Sequence, residues 1–278
     1  MTQILAHDGL VNDVHLHADD TGGAGRPVVL IHGWPLSGKS WKHQLPALQA
    51  AGYRVITYDR RGFGESDKPA LGYGYDTFAE DLQAVIESLD LWNATLVGFS
   101  MGGGEVARYL ANYGAGRLHS VVFAAAIPPF LAKLPNNPDG PLDLATQARM
   151  TAQLTADKDA FLEQFTKDFF SVDGRIVVSE EERQDALALA QQASKLAALE
   201  AMAAFGNTDF REDLAAVTVP ALVVHGDSDG IVPLEGSGAR THAAIPGSEL
   251  HVIAGGPHGI NASHPEEFNR VLLQFLER

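Results

Sequence analysis

Six short, uninterrupted apolar runs punctuate the chain, at Val28–Ile31, Val55–Tyr58, Thr95–Phe99, Val121–Ala125, Ala221–Val224 and Leu250–Ile253. A strand with one face in water alternates polar and apolar residues. Runs without alternation mark strands covered on both faces, as in a parallel sheet sandwiched by helices. Helical patterns lie between them. Thr77-x-x-Glu80 reads as a capping box ahead of Leu82, Val85, Ile86 and Leu89, and Ser263-x-x-Glu266 repeats the device before Phe268, Val271, Leu272 and Phe275. Strand and helix alternating over this length predict a parallel α/β sheet with right-handed crossovers.

Two shorter β-like segments come first, near residues 3–6 and 11–18, with Asp8-Gly9 as a turn signal between them. The Gly-rich run 19–25 is a connection. From Pro129 to Gly206 the alternation stops. A Pro/Asn/Gly-rich opening gives way to helical sequence rich in Ala, Gln and Leu, in which Ser179-x-x-Glu182 caps one helix. An insertion of this kind reads as a lid. Phe161, Phe165 and Phe169 share one helical face in it, which suits core packing or, more sharply, a pocket wall. The expected organisation is one domain: core 1–128, helical cap 129–210, core 211–278.

Charge narrows the partners. With 35 acidic against 20 basic residues the net charge is −15, which argues against a broad footprint on nucleic acid or anionic lipid. The chain has no cysteine, which excludes disulfides, thiolate zinc sites and a cysteine nucleophile, and suits a reducing cytosol. MTQILAHDGL lacks a basic start and a signal-length apolar core, and no run approaches membrane-spanning length. A cytoplasmic protein without membrane or nucleic-acid partners is expected; homo-oligomer formation stays open.

The strongest chemical signal is Gly98-Phe99-Ser100-Met101-Gly102, between an apolar strand and a helical stretch. A sharp strand-to-helix turn leaves room only for glycine two residues either side of the serine, and exposes the hydroxyl at a helix N-terminus. Serine needs a base to become a nucleophile. Of eleven histidines, His258 follows the last strand-like run on a loop, where open α/β sheets build their sites. His32 and His225 sit in His-Gly corners and read as structural; His7, His15, His17, His119 and His242 show no partner, and His264 at a helix start has no role. HGDSDGIVP (225–233) supplies two aspartates past a strand end. Asp229, at the far point of the loop, is the expected orienter of the histidine, and Asp227 a loop brace. The order Ser100, Asp229, His258 is the one a Gly-x-Ser-x-Gly hydrolase requires. Acyl transfer also needs two preorganised N–H donors for the developing oxyanion. Met101 supplies one and Trp34, in HGWP (32–35), the other, since Pro35 has no N–H. No His/Asp/Glu set has metal spacing, and there is no dinucleotide or phosphate loop, so neither metal nor cofactor is expected. DRRGFGES (59–66) has glycine spacing but reads only as a loop signature.

The set HGWPLSGKSW (32–41), YDRRGFGESDKP (58–69), GFSMGGGEVARY (98–109), HGDSDGIVP (225–233) and PHGIN (257–261) resembles the α/β-hydrolase superfamily. More closely, it is similar to the cofactor-free haloperoxidase, perhydrolase and arylesterase group of bacterial serine hydrolases. That resemblance implies a mostly parallel eight-stranded sheet with a helical cap after the sixth strand, and a Ser100–Asp229–His258 triad. It also implies an oxyanion hole from the Trp34 and Met101 amides and a substrate pocket involving Trp34, Phe130 and Ile231. The implied substrate is a small ester or carboxylic acid, with peracid formation when hydrogen peroxide replaces water. Lactone or lactam hydrolysis on the same triad, and a hydrolase-fold receptor with weak catalysis, are the alternatives. The cap segment matches least by motif, so substrate identity is where the analogy carries least.

Overall fold

The computed structural model describes residues 2–6 and 13–278, so His7 and the Asp8-Gly9 turn signal lie outside the described residues. The apolar runs become strands β3 (Pro27–Ile31), β4 (Arg54–Tyr58), β5 (Ala94–Phe99), β6 (Leu118–Ala124), β9 (Ala221–Gly226) and β10 (Glu249–Ile253). They join β1 (Thr2–Ala6) and β2 (Val14–Asp20) in one eight-stranded sheet of order β1-β2-β4-β3-β5-β6-β9-β10. The first two strands are antiparallel, and every pair from β4 to β10 is parallel. Every residue of β5 and β9 is buried, as unbroken apolar runs require of central strands. Each such Val, Leu or Ile contributes roughly 1.5–3 kcal/mol by leaving water.

Two expectations shift. β10 is half-exposed rather than covered on both faces, because it is the sheet edge and, among the described residues, only β9 pairs with it. β6 begins at Leu118, three residues early, and takes in Ser120, whose hydroxyl pairs with that of Thr95 on β5 at 2.8 Å. A buried hydroxyl with a partner costs a strand little.

Around the sheet lie α1 (Leu45–Ala50), α2 (Tyr75–Ser88), α3 (Met101–Tyr113), α8 (Gly238–Ala244), α9 (Ile260–Ser263) and α10 (Pro265–Leu276). Between β6 and β9 the chain forms α4 (Leu144–Ala156), α5 (Lys158–Phe169), a short β7 (Ser171–Val172) and β8 (Arg175–Ile176) ribbon, α6 (Glu180–Gln191) and α7 (Lys195–Asn207). The cap thus follows the sixth strand.

The capping boxes divide along the same line. Ser179 accepts from the Glu182 N–H at 3.1 Å and starts α6 as the sequence indicates. Asp143, Asp157 and Ser194 do the same for α4, α5 and α7, each cap contributing about 1 kcal/mol. In the core neither expected box forms. α2 starts at Tyr75 after an uncapped Gly74, leaving Thr77 inside the first turn. α10 starts at Pro265, and the Ser263 hydroxyl turns to His264 Nδ1 at 2.9 Å. Packing against the sheet fixes where core helices begin, whereas the cap helices are set by local bonds.

Candidate active site

Ser100 stands between β5 and α3 at φ 54°, ψ −117°, in a region that L-residues rarely enter. Neighbours impose this. A Cβ on Gly98 would lie 2.5 Å from the Gly102 carbonyl oxygen, and one on Gly102 would lie 2.7 Å from that of Ile31. The glycines therefore let the first turn of α3 press against the ends of β5 and β3, and strain at Ser100 is held by everything around it.

That turn delivers the hydroxyl to its partners. Ser100 Oγ is 2.9 Å from His258 Nε2, and His258 Nδ1 is 2.7 Å from Asp229 Oδ2. Asp229 Oδ1 accepts the N–H groups of Ile231 at 2.9 Å and Val232 at 2.8 Å. All three side chains are buried. The His258 ring meets Phe99 at 5.3 Å and, edge to face, Phe169 at 5.2 Å. Burial alone would raise the Asp229 pKa, but the charge and hydrogen bonds of His258 and His225 outweigh it. Its carboxyl is held well below the usual carboxylate range, so it is ionised and the proton sits on His258 Nδ1. Nε2 is then free to accept from the serine. Asp227, the other candidate, takes the Gly255 N–H at 2.7 Å and the Ser228 hydroxyl at 3.0 Å on its Oδ1 and braces the loop.

His225 does more than turn a corner. Its Nε2 is 2.8 Å from the Val232 carbonyl and 3.4 Å from Asp229 Oδ2, so it carries a proton facing the carboxylate that is bonded to His258 Nδ1. His32 fits its structural reading: Nδ1 donates to Gly33 O at 2.9 Å, Nε2 accepts the Arg60 N–H at 3.0 Å, and burial pushes it far below the histidine range. The remaining histidines among the described residues do have partners. His15 pairs with Asp67, His17 lies between Asp19 and Glu65, His119 meets Arg26, and His242 meets Ser248. Several of these pairs join segments far apart in sequence, which spacing alone does not reveal.

The loop after β3 runs against Ser100: a Cβ on Gly33 would come within 3.0 Å of Ser100 Cβ. Trp34 follows in that loop. Met101 opens α3, where an N–H has no intrahelical acceptor. The Trp34 indole donates to Ala198 O on α7 at 3.0 Å and stands edge-on to Phe161, Phe165 and Phe205. Together they wall a cavity of about 790 Å³ that reaches Ser100 and His258 and is also lined by Ile231. Phe161 and Phe165 are thus pocket wall, while Phe169 packs on His258. Phe130 is not among the lining residues. Its buried ring faces the Arg211 guanidinium at 5.5 Å, and Ile127 and Leu131 take the wall instead. Among the described residues no His/Cys/Asp/Glu group of three or more has metal-holding geometry, and no helix is long and apolar enough to cross a membrane.

Comparison with known proteins places this geometry in a family. The model of the alpha/beta hydrolase fold matches residues 26–265. A putative non-heme chloroperoxidase from Synechocystis sp. is 48% identical over 257 residues, 92% of each chain. A bifunctional esterase/perhydrolase from Acinetobacter calcoaceticus is 34% identical over 279 residues, 99% of each. Among solved structures, a bromoperoxidase from Bacillus anthracis superposes with a TM-score of 0.95 at 51% identity, covering 100% of both chains. The chain belongs to the α/β-hydrolase family, on the branch whose members are named non-heme haloperoxidases and esterase/perhydrolases.

Proposed function

We propose that the protein hydrolyses small carboxylic esters through an acyl-enzyme on Ser100, and that hydrogen peroxide can replace water in the second half of the reaction. The observation that carries this is the unbroken relay Ser100 Oγ–His258 Nε2–Asp229 Oδ2, at 2.9 and 2.7 Å, on the wall of a large, mainly apolar cavity. His258 takes the serine proton as Oγ attacks the acyl carbon. The tetrahedral oxyanion is received by the amides of Trp34 and Met101. His258 then protonates the leaving alcohol, and water activated by the same nitrogen releases the acid. Peroxide in place of water releases a peracid. Segment 129–210 serves as the lid, with Trp34 and Ile231 contacting the substrate.

A fluorophosphonate probe should label the wild type at Ser100 and leave Ser100→Ala unlabelled. A panel of esters, lactones and lactams should show esters turned over fastest; a lactone preference would move the assignment to ring opening on the same triad. Peracid formation from a small carboxylic acid and peroxide should also depend on Ser100. Pro35 fixes its own φ and limits the backbone before it, which suits an inward Trp34 carbonyl able to accept a bond from peroxide. One such bond is worth on the order of 1 kcal/mol, so Pro35→Leu should lower the ratio of perhydrolysis to hydrolysis several-fold to about tenfold. An unchanged ratio removes Pro35 from peroxide selection.

A further inference from the structure

The two amides assigned to the oxyanion come from different elements, and something must hold those elements in register. DRRGFGES, with no part in the relay, supplies a candidate. Arg60 is fully buried. Its Nη2 donates to the His32 carbonyl at 3.0 Å, and its backbone N–H donates to His32 Nε2 at 3.0 Å. Its Nε donates to Glu105 Oε2 at 2.7 Å. Glu105 is equally buried and lies on α3, the helix that Ser100 and Met101 begin, and its other oxygen accepts the Tyr58 hydroxyl. His32 passes the constraint on, since its Nδ1 holds the Gly33 carbonyl, which also accepts the Leu36 N–H at 3.0 Å. The loop carrying Trp34 is thereby pinned on both sides.

We infer that the buried Arg60–Glu105 pair is a positioning device for the oxyanion hole: Arg60 grips the carbonyl of the Trp34 loop with one arm and the helix of Met101 with the other, fixing the spacing of the two N–H donors. A direct backbone contact supports the same joint, for a Cβ on Gly102 would lie 3.2 Å from the His32 carbonyl oxygen that Arg60 holds. The rationale is energetic. A buried ion pair gives little net stability compared with apolar residues of similar volume, so its retention here needs another reason. Donor placement is such a reason, because displacement of about 1 Å costs on the order of a hundredfold in rate. The inference rests on the proposed roles of Ser100, Trp34 and Met101, and its test separates the two.

The decisive variants are Arg60→Met/Glu105→Leu/Tyr58→Phe, which removes the charges and leaves no orphaned hydroxyl, and Arg60→Lys, whose ammonium lacks the rigid planar fork through which Nε and Nη2 together hold the Glu105 carboxylate and the His32 carbonyl. Active sites are counted with a fluorophosphonate, and kcat, KM and affinity for a boronic acid transition-state analogue are measured per labelled site, with thermal melting alongside. The clamp predicts kcat down about a hundredfold per site, boronate affinity weakened in parallel and KM within about threefold. Glu105→Gln, which keeps an acceptor oxygen for Arg60, should stay within about fivefold of wild type, as should Tyr58→Phe, which leaves the loop contact intact. If the apolar variant does not fold, Arg60→Lys carries the test. Folded variants with normal kcat and boronate affinity per site overturn the proposal, as does a Tyr58→Phe loss equal to that of the triple variant. Absence of fluorophosphonate labelling in the wild type would instead overturn the serine mechanism.

Discussion

Ser100→Ala is expected to lower kcat for ester hydrolysis by roughly five to six orders of magnitude, leaving only what the oxyanion donors and substrate binding provide. The fold should survive. Alanine keeps the Cβ that already stands at φ 54°, so the substitution adds no backbone strain. It removes one hydroxyl and its bond to His258, a change of about 1–3 kcal/mol. Circular dichroism melting alongside initial rates with a chromogenic ester makes the comparison. A well-folded alanine variant with ordinary turnover would place the nucleophile elsewhere.

The second large effect is expected at Asp229. Its Oδ1 accepts two backbone N–H groups, so an asparagine there must keep its carbonyl oxygen on that side and turn its NH₂ toward His258 and His225. A donor facing His258 Nδ1 drives the ring proton to Nε2, and the nitrogen meant to accept from Ser100 is blocked. Loss of the correct tautomer costs about 10⁴-fold in kcat. Asp227→Asn should stay within about threefold, because both bonds to Asp227 fall on Oδ1, which an amide oxygen can replace. The pH profiles supply a second reading. Asp229 is held below the usual carboxylate range, so it stays charged over the working interval and adds no acid limb of its own to the pH profile. Two acid limbs, or a reversed ranking of the aspartates, would mean the roles are misassigned.

Sheet and relay were legible because each rests on a local rule. Unbroken apolar runs specify covered strands, and the glycines at 98 and 102 follow from backbone contacts that occur wherever a strand turns so sharply into a helix. What escaped the sequence depends on distance. Phe130 looked like pocket wall from its place at the cap entrance, yet its ring packs against Arg211, eighty-one residues later. The two core capping boxes failed because sheet packing overrode a local preference of about 1 kcal/mol. His225 was hidden differently: its backbone place was clear, but its reach to Asp229 depends on how the intervening loop folds back.

Trp34 belongs to two neighbourhoods at once. Its backbone lies in the loop beside Ser100, while its indole is bonded to Ala198 and ringed by phenylalanines of the cap. Cap and core therefore do not meet as separable modules. Transplanting the helices of another family member onto this scaffold would change the anchor of a residue assigned to the reacting oxygen, so tailoring substrate range by cap exchange brings a change in turnover unless the carbonyl at 198 is preserved. Selectivity and rate are linked through one side chain, and single substitutions within the native helices are the safer way to vary one without the other.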